Sequence, residues 1–200
     1  ILLIMSYPLS TSCGEIGKIL HIILNNVLPL KTNGVFIEIG ANDGKTGSFT
    51  YNLARYGWSG INIEPVTRIY NLCCENHKNH TNVKNLNIAI GSSRGEIEIV
   101  DAGTLSTIDK DVIDVYSKTP QFASIFKKNN KIQKVKVDTL DNVLNDNNIS
   151  SIDLLVLDVE GYEENVLKCF SIEKFNPIIF IIEIGDQHPD FVNNPVMMNK

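Results

Sequence analysis

The sequence predicts an α/β fold: an open sandwich on a mostly parallel central sheet. Three observations carry that reading. Short apolar runs rich in β-branched residues recur at 35–39, 61–63, 83–90, 152–158 and 177–183. Stretches with helical spacing or cap signals separate several of them. Glycine or an acid stands at the end of each of these runs (Gly40, Glu64, Gly91, Asp158, Glu183). In an open parallel sheet, strand carboxyl ends are where ligands bind, and alternating strands and helices imply right-handed crossovers.

Two hundred residues suit one domain with a real core. A formal net charge of −5 argues against a nucleic-acid binder relying on a broad basic surface. The cysteines Cys13, Cys73, Cys74 and Cys169 show no C-x-x-C spacing. They fit neither a zinc site nor a disulfide framework. Read as reduced thiols, they favour an intracellular, cytoplasmic setting. The apolar start Ile1–Met5 is far too short for a membrane span.

In order along the chain, Ser12 and Glu15 form an S-x-x-E capping pattern. Ile16, Ile19, Leu20, Ile23, Val27 and Leu28 follow at helical spacing, so residues 1–34 are expected to be a helical segment covering the sheet. Residues 35–200 form the ligand-binding domain. Val35–Ile39 is its first buried strand, with a helix over 48–56. Ile61–Ile63 is the second strand, and Pro65 suits the first turn of a helix over 66–77. Val83–Ile90 is read as a third strand.

An insertion at about 92–133 then breaks the alternation. Glu96–Val100 and Lys134–Asp138 each alternate apolar and charged residues, predicting two paired strands with one wet face. Between them only 108–116 has helical character. Thr139–Leu144 turns helical, 152–158 is a strongly apolar strand, 163–170 a helix and 177–183 a last buried strand.

Val35-Phe-Ile-Glu-Ile-Gly-Ala-Asn-Asp-Gly-Lys-Thr-Gly47 organises the chain: strand, glycine turn, then helix. A P-loop needs four residues between its glycines, and Gly40 to Gly44 encloses three. Glu38 and Asp43 would also repel phosphates. The dinucleotide pattern fails because Asn42 and Lys45 replace its second and third glycines. S-adenosylmethionine lacks phosphates and carries a sulfonium and an ammonium, so acids around the turn suit it. Glu64, at the end of the neighbouring strand, is placed to accept from its ribose hydroxyls.

The sequence resembles the FkbM-type S-adenosylmethionine-dependent methyltransferases. The matching segments are Phe36–Gly44, Asn62–Pro65, Asn87–Gly91, Val137–Asp141, Ile152–Leu167 and Pro177–Glu183. The resemblance implies a Rossmann-like class I methyltransferase sandwich and methylation of a hydroxyl on a sugar or small metabolite. By position it makes Glu38, Gly40, Ala41, Asn42, Asp43 and Gly44 the methionine-end loop. Glu64 with Pro65 becomes the ribose end, and Asn87 to Ala89 lies near the adenine. Sheets of this fold usually close with two further strands, so the expectation here is that the C-terminal strands are missing or truncated. A non-catalytic scaffold module that keeps the fold, or a nicotinamide-dependent oxidoreductase, are the alternatives.

For an alcohol acceptor the chemistry requires a proton acceptor beside the methyl carbon. Asp158, Glu160, Glu183 and His188 stand where sheet topology puts a substrate. Glu160 has a second reading as a helix cap, Glu183 as a structural hydrogen-bonding group and His188 as a loop residue. Asp158, Glu160 and Glu183 also offer oxygen ligands for Mg²⁺, so metal-assisted and metal-independent deprotonation both stay open. Trp58 and Tyr162 are expected in the core, with a pocket wall as their alternative.

Overall fold

The computed structural model describes residues 22, 24, 31–120, 123–125 and 131–183. Most of the expected N-terminal helix, Cys13 and His188 lie outside them. Ile22 and Leu24 are helical, and Leu24 is buried against Phe36, Leu53 and Trp58.

Among the described residues, five parallel strands form the central sheet: β1 (Val35–Ile39), β2 (Ser59–Ile63), β3 (Val83–Leu86), β7 (Leu154–Leu157) and β8 (Ile179–Ile182). Their spatial order is β3-β2-β1-β7-β8. Chain direction across the sheet reverses between β1 and β7, the switch point at which α/β sheets open a ligand crevice. β1 and β7 are buried along almost their whole length because helices cover both sheet faces.

Period-two alternation divides the core between those faces. Ile37, Ile39, Ile61, Ile63, Leu155 and Leu157 meet α4 (Leu140–Asp146), α5 (Glu163–Lys168) and α6 (Ile172–Phe175) on one side. Phe36, Leu154, Val156 and Ile179 meet Leu24, Trp58 and α1 (Tyr51–Arg55) on the other. Trp58 is a core residue, fully buried, with its indole N–H donating to the Lys31 carbonyl. Asp153 locks the start of β7 to β1 by accepting from Val35 N at 2.8 Å and pairing with Lys31.

A second sheet, in the order β4-β6-β5, joins β4 (Ala89–Ile90), β5 (Gly95–Asp101) and β6 (Lys131–Asp138). The expected antiparallel pair is present. Its register places Glu96 opposite Lys136 and Glu98 opposite Lys134 on the wet face, where opposite charges favour pairing. The buried face, Ile99 and Val135 with Ala89, packs on Val66 and Ile69, so this sheet rests on α2 (Thr67–His77). α3 (Lys110–Lys118) follows β5, capped by the Asp109 side chain.

Two elements differ from expectation for local reasons. The first helix starts at Tyr51 rather than Ser48, because Ser48 Oγ accepts from Thr50 N and Tyr51 N while Glu38 takes Phe49 N. Such side-chain bonds compete with helical ones. The third strand is two strands in two sheets. Asn87 donates to the carbonyls of Glu64 and Pro65, and β4 pairs with β6 instead of β2.

Candidate functional site

The turn after β1 crosses the sheet edge very closely. Gly40 N and Ala41 N both donate to Ile63 O at 3.0 Å, and Asp158 N donates to Ile39 O at 3.0 Å. Gly40 has φ +80°, and a Cβ there would stand 1.6 Å from the Asp158 carbonyl oxygen. Only glycine fits this crossing.

Two buried carboxylates shape the turn. Glu38 accepts from Ser48 Oγ (2.9 Å), Thr50 Oγ1 (2.6 Å) and Phe49 N (3.1 Å), fastening the far end of the loop to β1. Burial pushes its pKa up, against the pull of those donors. Glu64 accepts from Asn42 N at 3.0 Å with one oxygen and from Val66 N at 2.8 Å with the other. Burial lifts it to about 7 despite both bonds. Asp43 points elsewhere: it accepts from Lys45 N, Thr46 N and Thr46 Oγ1, which makes it the organiser of the turn itself.

A second group of acids stands at the ends of β7 and β8. Asp158 stands beside Glu183 there, close enough for the two carboxyls to interact. Burial first, then the Glu183 charge, drives the Asp158 pKa up. Glu160 sits at φ +52°, rare for a residue with a side chain. Its Oε2 accepts from the Tyr116 hydroxyl at 2.9 Å, and its carbonyl accepts from Thr107 Oγ1 at 2.9 Å. Glu160 rises to about 7, chiefly through burial and against the tyrosine bond. It does not cap α5. That helix has no side-chain cap, and Glu163 instead accepts from Val159 N and Gly161 N in the turn before it.

These groups line one cavity of about 360 Å³, within the range typical of small-molecule sites. Its floor is the turn Gly40–Asn42 with Ile63–Pro65 and Ala89. Residues Gly103, Thr104, Ser106, Thr107 and Ile108 of the insertion line it as well, and so do Asp158, Glu160, Tyr162 and Glu183 from the ends of β7 and β8. Glu38, Glu64, Asp158, Glu160 and Glu183 all line it, and among the described residues no Lys, Arg or His does.

Of the residues singled out in the sequence, Glu38, Gly40, Ala41, Asn42, Glu64, Pro65, Ala89, Asp158, Glu160 and Glu183 thus share this cavity. Asp43, Gly44 and Asn87 are not among its lining. Asp43 and Gly44 support the turn from behind, and Asn87 ties the chain after β3 to the end of β2. Tyr162 is a wall residue as well as a core neighbour. Residues 103–107 carry no periodic signal, and Tyr116 shows in the sequence only as part of the helical stretch 108–116. Among the described residues no three His, Cys, Asp or Glu side chains are grouped to hold a metal ion. Likewise no described helix is long and apolar enough to cross a membrane. Cys73, Cys74 and Cys169 are free thiols, and burial raises Cys73 to about 12.

Fold and site together define an α/β protein with an acid-lined ligand crevice at its topological switch point. The family model described as the Methyltransferase FkbM domain matches residues 38–199, and the chain belongs to that methyltransferase family. No curated protein and no solved structure matches the sequence.

Proposed function

We propose that this chain is an S-adenosylmethionine-dependent methyltransferase that methylates a hydroxyl group on a sugar or other small metabolite. The observation that carries the reading is the charge of the cavity: five carboxyl groups and, among the described lining residues, no cation. A phosphate-bearing nucleotide would be repelled there, whereas a sulfonium and an ammonium are attracted. The donor set also fits. A carboxylate offers about four lone-pair sites. Backbone N–H groups take one on each Glu64 oxygen, leaving capacity for two ribose hydroxyls.

When bound, the cofactor supplies a methyl carbon activated by its sulfonium. The protein's task is then to orient the acceptor oxygen and remove its proton. Glu160, near 7, is matched to proton acceptance at neutral pH. Asp158 and Glu183, both on the cavity lining, offer oxygens that can hold an acceptor hydroxyl. Tyr162 and the 103–108 wall give that acceptor its apolar and hydroxyl-bearing surroundings.

Calorimetry with S-adenosylmethionine, S-adenosylhomocysteine, NAD and ATP tests the reading. The expected result is binding of the two adenosyl ligands alone. Binding of NAD or ATP instead, or of none of the four to folded protein, overturns it. Tight binding with no methyl transfer across a panel of sugars and hydroxylated metabolites favours a scaffold role.

A further inference from the structure

The cofactor loop has a second support, on the side away from the cavity. His77, at the end of α2, is buried, and its Nε2 lies 2.7 Å from the Gly44 carbonyl oxygen. A carbonyl has no proton to give, so His77 Nε2 carries the hydrogen and donates. His77 Nδ1 lies 3.0 Å from His80 Nδ1. With His77 neutral, its Nδ1 is an acceptor, so His80 must donate from its own Nδ1. One carbonyl therefore fixes both tautomers. Gly44 allows this contact: its φ is +69°, and a Cβ would lie 2.6 Å from Cys73 Sγ and 2.8 Å from the His77 ring. Asn76 adds a parallel tie, donating to the Asp43 carbonyl at 2.8 Å.

We propose that His77, backed by the His80 Nδ1–H, is the positioning residue of the cofactor loop, and that double protonation of this histidine pair releases the loop in acid. The proposal rests on the reading of the loop as the S-adenosylmethionine site. The first added proton goes to His80 Nε2, the pair's remaining basic nitrogen, and leaves the Nδ1···Nδ1 hydrogen bond intact. A second leaves two N–H groups facing each other and two like charges 3.0 Å apart.

The surroundings do not neutralise two charges. From α1, the Tyr51 ring stands edge-on to both imidazoles, and Arg55 repels a charge on His80. From the loop, Asp43 favours a charge on His77, while Lys45 sits over the Tyr51 ring. From α2 itself come the neutral Cys73 thiol and Glu75, which is paired with Lys78. β2 and β3 contribute Asn62 and Asn85, both uncharged, around Cys73. Burial lowers the pKa of each histidine, so the second protonation falls on the acid side of the ordinary range.

The test is NMR on the ligand-free protein combined with S-adenosylhomocysteine titrations. The ring nitrogens should report His77 as the Nε2–H tautomer and His80 as the Nδ1–H tautomer near pH 7.5. The Gly44 amide should shift with the second, more acidic histidine step. A Nδ1–H tautomer for His77, or a Gly44 amide indifferent to that step, overturns the proposal whether or not the adenosyl ligand binds.

Affinity for S-adenosylhomocysteine should fall at least about fivefold from pH 7.5 to 5.5. His77→Gln keeps an amide donor toward Gly44 but cannot titrate, so it should stay within about threefold of wild type at pH 7.5 and lose much of that fall. The residual fall belongs to Glu64. An unaltered pH profile in His77→Gln counts against the proposal. Absence of binding at every pH counts instead against the cofactor assignment, and the tautomer measurement still decides the role of the pair.

Discussion

Gly40 and Glu64 show how much a single position can determine here. At Gly40 two independent constraints coincide, a left-handed φ of +80° and a carbonyl oxygen where Cβ would go. Gly40→Ala should therefore cost more than about 2 kcal/mol, since the left-handed conformation alone costs about 1–2. A urea midpoint lowered with unchanged slope would register it, and a cost under about 0.5 kcal/mol would refute the close crossing. Glu64 holds Asn42 N and Val66 N before any ligand arrives. Glu64→Ala should weaken S-adenosylmethionine binding by roughly 1.5–3 kcal/mol, the scale of hydrogen bonds to a charged group. Calorimetry measures it, and unchanged affinity would remove Glu64 from the ribose site. Both residues were legible in the sequence because strand ends and glycine spacing are local signals. Asp43 was not, because its acid looks the same whether it faces a ligand or, as here, folds back on Lys45 and Thr46.

Among the elements, the insertion is the one whose role the sequence concealed. Its paired strands were readable from alternation, as Glu96 and Glu98 opposite Lys136 and Lys134 show. Its function lies in tertiary contacts that no period encodes. Tyr116 is buried with Val112 and Ala102, yet its hydroxyl reaches Glu160 across the cavity wall. Thr107 reaches the carbonyl of the same residue. α3 and the 103–108 wall are thereby attached to the end of β7, and a strained Glu160 is held in place. Tyr116→Phe should remove a charge-assisted bond at pH 8, about 1.5–3 kcal/mol, but only a neutral one of about 0.5–1.5 kcal/mol at pH 5. Chemical denaturation at the two pH values measures the difference. An equal loss at both would mean that Glu160 is not titrating between them. Losing that donor should also raise the Glu160 pKa further, because the bond favours its ionised form.

For the whole molecule, an acid-lined cavity makes stability depend on pH in an unusual direction. Most folded proteins ionise their carboxyls more readily than the unfolded chain does, but Glu64, Glu160 and Asp158 are all raised. A raised carboxyl binds its proton more tightly when folded, so its contribution is full below the unfolded pKa and is lost as pH rises through the folded one. For Glu64 and Glu160 that window runs from 4.5 to about 7. At about 1.4 kcal/mol per pKa unit, Glu64 alone accounts for on the order of 3 kcal/mol. His77 and His80 act oppositely: their lowered pKa values withdraw stability as pH falls below 6.5. The histidine contribution falls mainly below pH 6.5, so between pH 6 and pH 8 the carboxyls dominate and the melting temperature of the ligand-free protein should fall. Glu64→Gln should flatten that slope. Adding S-adenosylmethionine should raise the melting temperature more at pH 8 than at pH 6, because a cationic ligand stabilises the ionised acids that the empty cavity strains to keep. Scanning fluorimetry across that range tests both statements. A melting temperature that rises from pH 6 to pH 8 without ligand would show that the cavity acids are ionised at no cost, and the reading of them as raised by burial would fall with it.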